Sequence, residues 1–511
     1  MQIASAAETK VDAPSKRQLN YEQLGRFVYL LAALAALSLW FLAIRAPLWL
    51  DETGSYWSIA GGLKQIWARS RELNSFPAYF YILWLTKAIF GAKELTLRIP
   101  SILAMLGAVY LLYRAARELF DQDVAVIAAI LFCVHPLVIF AAIDVRPYAF
   151  AVLAVNATIF VLVRLRRDNS TWLSALFGFL AASIVYFHFL FAVILPAFAV
   201  AFVAIKIKSE DRNAFWRQSV VALAVFSLAF LPLIPGLLYE LHTSSDHVFE
   251  AAPKLADLGW TLAPEWLAYI FVGAVLIAAA TRRIDLESRL EGWRILLCAS
   301  LALVPILVLY GISVETSIHV FVFRYRLVAV PGIALGWAWL VNRIDSRILR
   351  LLFCVTVLAS VAYLYSTSPA SKMHGYSWKY ALAVAEKNAS ADDAPVLICS
   401  DLPEADHKPM PIGDAVKDDA LFSPLTYYKL SVPVVGLPRA LNDDAIRIAS
   451  SFVQTAAQRR RRFLALGFGP SYQTLQFLIS SASETHYVRV LGTFDGVAVL
   501  EFTPHEADAA R

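Results

Sequence analysis

Apolar runs long enough to cross a bilayer begin near Phe27 and recur to about Ser366, each followed by a short polar stretch. A hydrocarbon core about 30 Å thick needs roughly 20 residues of apolar helix. The rhythm therefore predicts a polytopic α-helical membrane protein. Basic residues give the orientation. Arg26, then Arg114 and Arg117, then Arg164, Arg166 and Arg167, then Lys206, Lys208, Arg212 and Arg217 fall between alternate runs. Arg282, Arg283, Arg289 and Arg294 form the next group, and Arg343, Arg347 and Arg350 the last. Placing these groups in the cytoplasm predicts about eleven spans, with the N-terminus inside and the C-terminus outside. The segment Ala78 to Phe90 is short for a span, and letting it cross would invert every later basic group. It is expected to lie at the membrane surface in the first outer loop.

After a last span from about Leu351 to Tyr365 the pattern becomes that of a soluble domain. Helical periodicity over Trp378 to Asn388, Asp443 to Gln458 and Thr474 to Ser483 alternates with β-rich runs at Pro395 to Cys399, Val432 to Leu437 and Phe463 to Phe468. The stretches His486 to Thr493 and Val497 to Phe502 flank Asp495-Gly496 and predict a hairpin. The expected organisation is a cytoplasmic tail (1–26), a transmembrane domain (27–366) and an extracytoplasmic α/β domain (367–511). The soluble part has no Gly-rich phosphate loop.

Composition agrees with this picture. The 511 residues are 59% hydrophobic, with a mean hydropathy of +0.60, outside the range of ordinary soluble proteins. The net charge of +5 is dispersed between apolar runs. It reads as topology, and no nucleic-acid partner is expected. Cys133, Cys298, Cys354 and Cys399 have no metal-site spacing and are expected to pack. The first apolar run lacks a small-residue cleavage site and reads as an uncleaved signal anchor.

Candidate chemistry gathers on the expected outer side. Asp51 and Glu52 directly follow the first run. Carboxylates at a membrane surface default to a functional hypothesis, although Asp51 could instead cap a helix beginning at Glu52. On the same side fall Arg98, Asp144, Arg146, Tyr148 and His188, then Glu240, His242, Asp246 and His247, and lastly Glu315, His319, Arg324 and Arg326. Snorkelling to headgroups is the bland alternative for each arginine. Tyr148 could be an interfacial anchor, and His188 a packing residue. The spans themselves are nearly free of charge. That speaks against a transporter or flippase, which places ionisable groups near the midplane.

Leu50-Asp51-Glu52, Phe76-Pro77-Ala78-Tyr79, Leu97-Arg98-Ile99-Pro100-Ser101, Asp144-Val145-Arg146-Pro147-Tyr148-Ala149, and the late Arg324-Tyr325 with Pro331-Gly332 occur in this order. The succession resembles the membrane-embedded GT-C glycosyltransferases of the family 39/83 type, which include protein O-mannosyltransferases and lipid A aminoarabinose transferases. The resemblance implies transfer of a sugar from a polyprenyl-phosphate donor to an envelope glycan, lipid or protein acceptor at the outer face of a bacterial inner membrane. It implies Asp51 as general base, with Glu52 beside it holding sugar or acceptor hydroxyls. A phosphate leaving group needs charge stabilisation, for which Arg98, Arg146, Arg324 and Arg326 are the candidates, the first two at family motif positions, and Tyr148 could hydrogen-bond the donor. Asp144 would pair with an arginine or help bind a divalent metal. Ser75-Phe76-Pro77 stands where many relatives carry His-Pro-Pro, which removes one acceptor or metal contact. A polymerase using a pyrophosphate-linked donor would also use outer arginines, but gives no reason for the early Asp-Glu pair.

Overall fold

The computed structural model describes residues 16–73, 75–206, 212–243, 251–284, 292–367 and 378–505. Lys208, Asp246, His247 and Arg289 lie outside the described residues, as does the side chain of His242. The first half of the bundle runs α1 (Lys16–Ser38), α2 (Leu50–Ala60), α3 (Ile66–Glu72), α4 (Ala78–Phe90), α5 (Glu94–Leu119), α6 (Gln122–Val134), α7 (Pro136–Ile143), α8 (Tyr148–Arg167) and α9 (Thr171–Phe187). The second half runs α10 (Leu195–Lys206), α11 (Arg212–Phe230), α12 (Ile234–Thr243), α13 (Leu255–Leu262), α14 (Glu265–Ala280), α15 (Gly292–Glu315), α16 (Val330–Asn342) and α17 (Arg347–Thr367).

Among the described residues five helical segments are long and apolar enough to cross a membrane, or seven if each of two bent pairs is one span. The chain is an integral membrane protein. The bends have a sequence cause. α6 and α7 meet at 67° across His135-Pro136, and α13 and α14 at 53° before Glu265, where Pro264 intervenes. A residue before proline is driven to extended backbone, and His135 has φ −65° and ψ 128°. The bundle core is continuous from Trp40 on the first run to Val361 on α17. Small residues let helices close up. A Cβ at Gly178 would come 2.2 Å from the Ala222 carbonyl oxygen, so α9 and α11 are in backbone contact there.

α4 has 13 residues, about 20 Å of helix against a core of about 30 Å. It packs Tyr79, Phe80 and Leu83 inward and leaves Tyr81, Leu85, Ile89 and Phe90 exposed.

The soluble domain comprises α18 (Trp378–Ala389), β1 (Val396–Cys399), α19 (Ser423–Tyr427), β2 (Val434–Leu437), α20 (Asp443–Gln458), β3 (Phe463–Phe468), α21 (Tyr472–Ala482), β4 (His486–Phe494) and β5 (Val497–Pro504). The sheet order is β2-β1-β3-β5-β4, with the first three strands parallel and β5 and β4 antiparallel. Alternation along β3 sends Leu464 and Leu466 to the face covered by α18, and Phe463 and Ala465 to the face covered by α20 and α21. Asp495 and Gly496 take φ of 47° and 97°, the left-handed pair that a two-residue hairpin turn needs. All four cysteines are buried and free.

The domain sits on the bundle through α2 and the start of α5. Trp57 Nε1 donates to the Asp418 carbonyl at 2.8 Å, and Arg69 pairs with the Asp418 carboxylate at 2.8 Å. Thr53 and Ser423 share a hydroxyl bond of 3.1 Å. The Tyr428 hydroxyl accepts from Leu48 N at 2.7 Å and donates to Glu94 at 2.9 Å, while Lys379 pairs with Glu94 at 3.0 Å. These bonds hold the end of the bundle that carries Asp51 against the soluble domain.

Candidate functional site

α2 begins two residues earlier than a cap at Asp51 would require. Trp49 is the N-cap, with extended backbone, and its N–H is accepted by Glu52 Oε2 at 3.2 Å. Glu52 therefore does the capping, and Asp51 sits in the first turn with no capping duty. Successive helical residues are about 100° apart. The two carboxylates consequently face different surroundings.

Glu52 faces inward and is fully buried. Its Oε1 accepts from Val145 N at 2.9 Å, and its carboxylate pairs with Arg98, also fully buried, at 3.0 Å. The Arg98 guanidinium is saturated. Nε and Nη2 donate to Glu52, Nη1 to the carbonyls of Ile44 and Ala46 at 2.7 Å each, and Nη2 also to Pro47 at 3.4 Å. The roles expected from sequence, Arg98 on a donor phosphate and Glu52 on sugar hydroxyls, do not fit this geometry. No N–H of Arg98 is left for a ligand, and neither residue is exposed. The pair instead ties the 44–47 turn, α2, α5 and the 144–146 loop together.

Asp51 faces outward, about one-fifth exposed, and pairs with Arg324 at 3.8 Å. Arg146 lies within electrostatic reach of Asp51, Asp144, Tyr148 and Arg324. Its buried Nε–H meets no acceptor among the described residues. Tyr148 is buried, its hydroxyl without a partner among the described residues, and its ring stacks on His188 with centroids 5.1 Å apart. His188 also approaches Tyr325 at 5.3 Å, and its Nδ1 has no partner among the described residues. Asp144 is fully buried. Its Oδ1 accepts from Trp49 Nε1 at 3.1 Å, and its Oδ2 has no partner among the described residues. Burial and the neighbouring Glu52 push the Asp144 carboxyl well above the usual carboxylate range, against the pull of Trp49 and Arg146.

The structure thus brings Asp51, Asp144, Arg146, Tyr148 and Arg324 into one cluster. Arg326 is directed elsewhere: Nη1 donates to Thr261 Oγ1 on α13 at 2.8 Å, and the guanidinium lies over Phe321. His188, read from sequence as packing, belongs to the cluster, and so do Trp49 and Tyr325. The only sequence signal for His188 is a polar residue at the break between two apolar helices. Among the described residues no group of three His, Cys, Asp or Glu side chains converges to hold a metal.

A membrane bundle with a charged cluster at one end, closed over by an α/β domain, is the class of protein that fold and site define. Residues 74–234 match a family described as dolichyl-phosphate-mannose-protein mannosyltransferase. No curated protein matches the chain in sequence. Among solved structures it is similar to ArnT from Cupriavidus metallidurans bound to undecaprenyl phosphate, at 13% identity and a TM-score of 0.52, over 92% of this chain and 97% of that one. It is also similar to the Archaeoglobus fulgidus oligosaccharyltransferase complexed with Zn and sulfate, at 13% identity and a TM-score of 0.49, over 93% of this chain and 73% of that one. The chain resembles the GT-C glycosyltransferases and has the polytopic fold seen in ArnT.

Proposed function

We propose that this protein transfers a sugar from a polyprenyl-phosphate donor to a glycan, lipid or protein acceptor, with inversion, at the periplasmic face of a bacterial inner membrane. In this reading the chain crosses about eleven times, as its basic residues suggest. The observation that carries the proposal is Arg146, a buried guanidinium with an unsatisfied Nε–H beside the Asp51 carboxylate. An anion-binding group next to a base is what displacement at a phosphate-bearing carbon needs. The matched family and the ArnT complex lend support through the lipid phosphates in their names.

The acceptor hydroxyl attacks the anomeric carbon while its proton passes to the Asp51 carboxylate. As the new C–O bond forms, the bond from that carbon to the donor phosphate breaks, and its electron pair stays on the phosphate oxygen. One displacement from the face opposite the leaving group inverts the centre. The phosphate gains negative charge at that moment, and Arg146, Arg324 and the Tyr148 hydroxyl are the groups placed to stabilise it. Asp144 orients Trp49 and holds the loop that bears Arg146.

The test is single-turnover transfer by purified protein in nanodiscs, offered a panel of polyprenyl-phosphate sugars. Asp51→Asn leaves the cap intact, because Glu52 makes it. It is expected to slow transfer on the order of 100 to 10,000-fold while undecaprenyl phosphate still binds. Full-rate transfer by this variant would remove the base assignment.

A further inference from the structure

Residues 47–49, which lead into α2, belong to no helix. Backbone groups outside helices and strands still need partners, and in this turn side chains supply them. Arg98 holds the carbonyls of Ile44, Ala46 and Pro47, and Glu52 accepts from Trp49 N. Both of those side chains belong to the membrane domain. The Leu48 N–H is held by the soluble domain instead. It donates to the Tyr428 hydroxyl at 2.7 Å, 380 positions along the chain, and has no other acceptor among the described residues. Leu48 is fully buried, where an N–H without an acceptor is costly.

Tyr428 is itself fixed in place. It directly follows α19, its amide donates to the Pro424 carbonyl at 2.8 Å, and its ring meets that of Tyr427 edge-on with centroids 4.8 Å apart. Its hydroxyl proton goes to Glu94, the first residue of α5, at 2.9 Å, and Lys379 of α18 holds the same carboxylate at 3.0 Å. With that proton committed, the hydroxyl turns a lone pair to Leu48. Arg98 lies four residues beyond Glu94 on α5. The turn is therefore gripped at its carbonyls by α5 and at its Leu48 amide by a hydroxyl anchored to the start of the same helix.

We propose that Tyr428 is a positioning residue for the reaction: through the Leu48 N–H, the soluble domain sets the turn from which α2 presents the Asp51 carboxylate. Asp51 lies three residues beyond Leu48, in the first turn of α2, and pairs with Arg324 at 3.8 Å. A general base must lie within hydrogen-bond reach of the proton it takes, and an error of about 1 Å can cost about 100-fold in rate. The phosphate-facing groups hang on other supports. The loop bearing Arg146 and Tyr148 is held by Glu52 at Val145 N, 2.9 Å, and by Ser101 Oγ at the Asp144 carbonyl, 2.6 Å. Loosening Leu48 is expected to slow the chemical step and to leave phosphate binding intact. The inference rests on the glycosyl-transfer reading for the role of Asp51. The tether itself is also read by a measurement that needs no activity.

The experiment compares full-length wild type, Tyr428→Phe and Lys379→Ala in nanodiscs, each measured on its folded fraction. Tyr428→Phe keeps the ring and removes only the hydroxyl. Lys379→Ala cuts another bond between the domains, at the same Glu94, and leaves Leu48 held. Amide hydrogen exchange in the peptide spanning Leu48 is expected to quicken about tenfold or more in Tyr428→Phe and by less than about twofold in Lys379→Ala. Single-turnover transfer at saturating donor should fall roughly 10 to 100-fold in Tyr428→Phe, with undecaprenyl phosphate affinity within about twofold, and should be near wild type in Lys379→Ala. The deciding arm repeats Tyr428→Phe in the Asp51→Asn background. A residue that acts through Asp51 has no base left to position there, so a further loss of less than about twofold is expected. Full-rate transfer by Tyr428→Phe, or an equal loss with and without the Asp51 carboxylate, overturns the proposal. If the wild type transfers from no donor, the glycosyl-transfer reading falls and the exchange arm decides the tether alone: quickened exchange at Leu48 supports it, and unchanged exchange overturns it.

Discussion

Arg98→Ala separates a structural arginine from a ligand-binding one. The side chain is fully buried and spends all its N–H groups on Glu52 and on the carbonyls of Ile44, Ala46 and Pro47. Those three residues are partly exposed, so water can replace Arg98 on their carbonyls at small cost. Glu52 has no such escape. It would remain fully buried with only the N–H groups of Trp49 and Val145 as donors. Stranding one member of a buried ion pair costs about 3–5 kcal/mol. At about 1.4 kcal/mol per factor of ten, that is on the order of a thousandfold in the folded-to-unfolded ratio.

Because the cost is an uncompensated charge, Arg98→Met combined with Glu52→Gln should be less destabilised than Arg98→Ala alone. The assay is thermal unfolding of purified protein in nanodiscs, with undecaprenyl phosphate affinity measured on the folded fraction. Arg98→Ala is expected to lower the unfolding temperature while the surviving folded protein binds the lipid phosphate. An unchanged unfolding temperature together with lost phosphate affinity would falsify the clamp and return Arg98 to the donor site.

Arg146→Ala should behave in the opposite sense. Removing a buried guanidinium with an idle Nε–H is expected to leave stability unchanged or raised, and to cost about 1.5–3 kcal/mol of undecaprenyl phosphate binding. A loss of stability with normal phosphate affinity refutes that role. Asp401 carries a pH signature. Burial, and then Asp51, raise its carboxyl to about 7, against the pull of Arg439 and Trp378. An unfolded Asp ionises near 4, so between about pH 4 and 7 the unfolded state releases the proton while the folded state retains it. Stability is lost as pH rises through that window. Asp401→Asn should therefore be stabilised relative to wild type above pH 7, and the difference should vanish below about pH 4. A pH-independent difference in denaturation midpoints contradicts this.

Period and composition carried most of the architecture. Strong alternation and the Asp495-Gly496 turn fix the terminal hairpin from local chemistry, and α20 falls where its apolar spacing puts it, at Asp443–Gln458. The site was legible only as far as topology could carry it. Asp51, Arg146 and Arg324 meet because all three follow or precede apolar helices at the same end of the bundle. What the sequence does not show is the direction of a side chain around its helix. Asp51 and Glu52 are neighbours, yet one turns to the cluster and the other to α5. The deciding contacts, Arg98 and Val145, lie 46 and 93 residues away. The same holds for Arg326, whose neighbour Arg324 joins Asp51 while it turns to Thr261.

On the proposed reading, that division of labour leaves a site with two carboxylates at its threshold able to take an anion. Were Glu52 free in the cluster, it would add a second negative charge beside Asp51 and cancel part of the field of Arg146 and Arg324. Buried against Arg98, it is neutralised before the cluster begins. Its remaining bonds to Trp49 N and Val145 N then fix both the turn that presents Asp51 and the loop that presents Arg146. Asp144, whose carboxyl is pushed toward its neutral form, adds little charge of its own. The cluster is left with Asp51 opposed by two guanidinium groups, a net positive site that attracts phosphate and keeps one carboxylate able to take a proton. The order of events follows from that balance. With no phosphate bound, Arg324 holds Asp51. In the proposed function a donor phosphate would compete for Arg324 and free the carboxylate for the acceptor, so acceptor activation is expected only after the donor has bound.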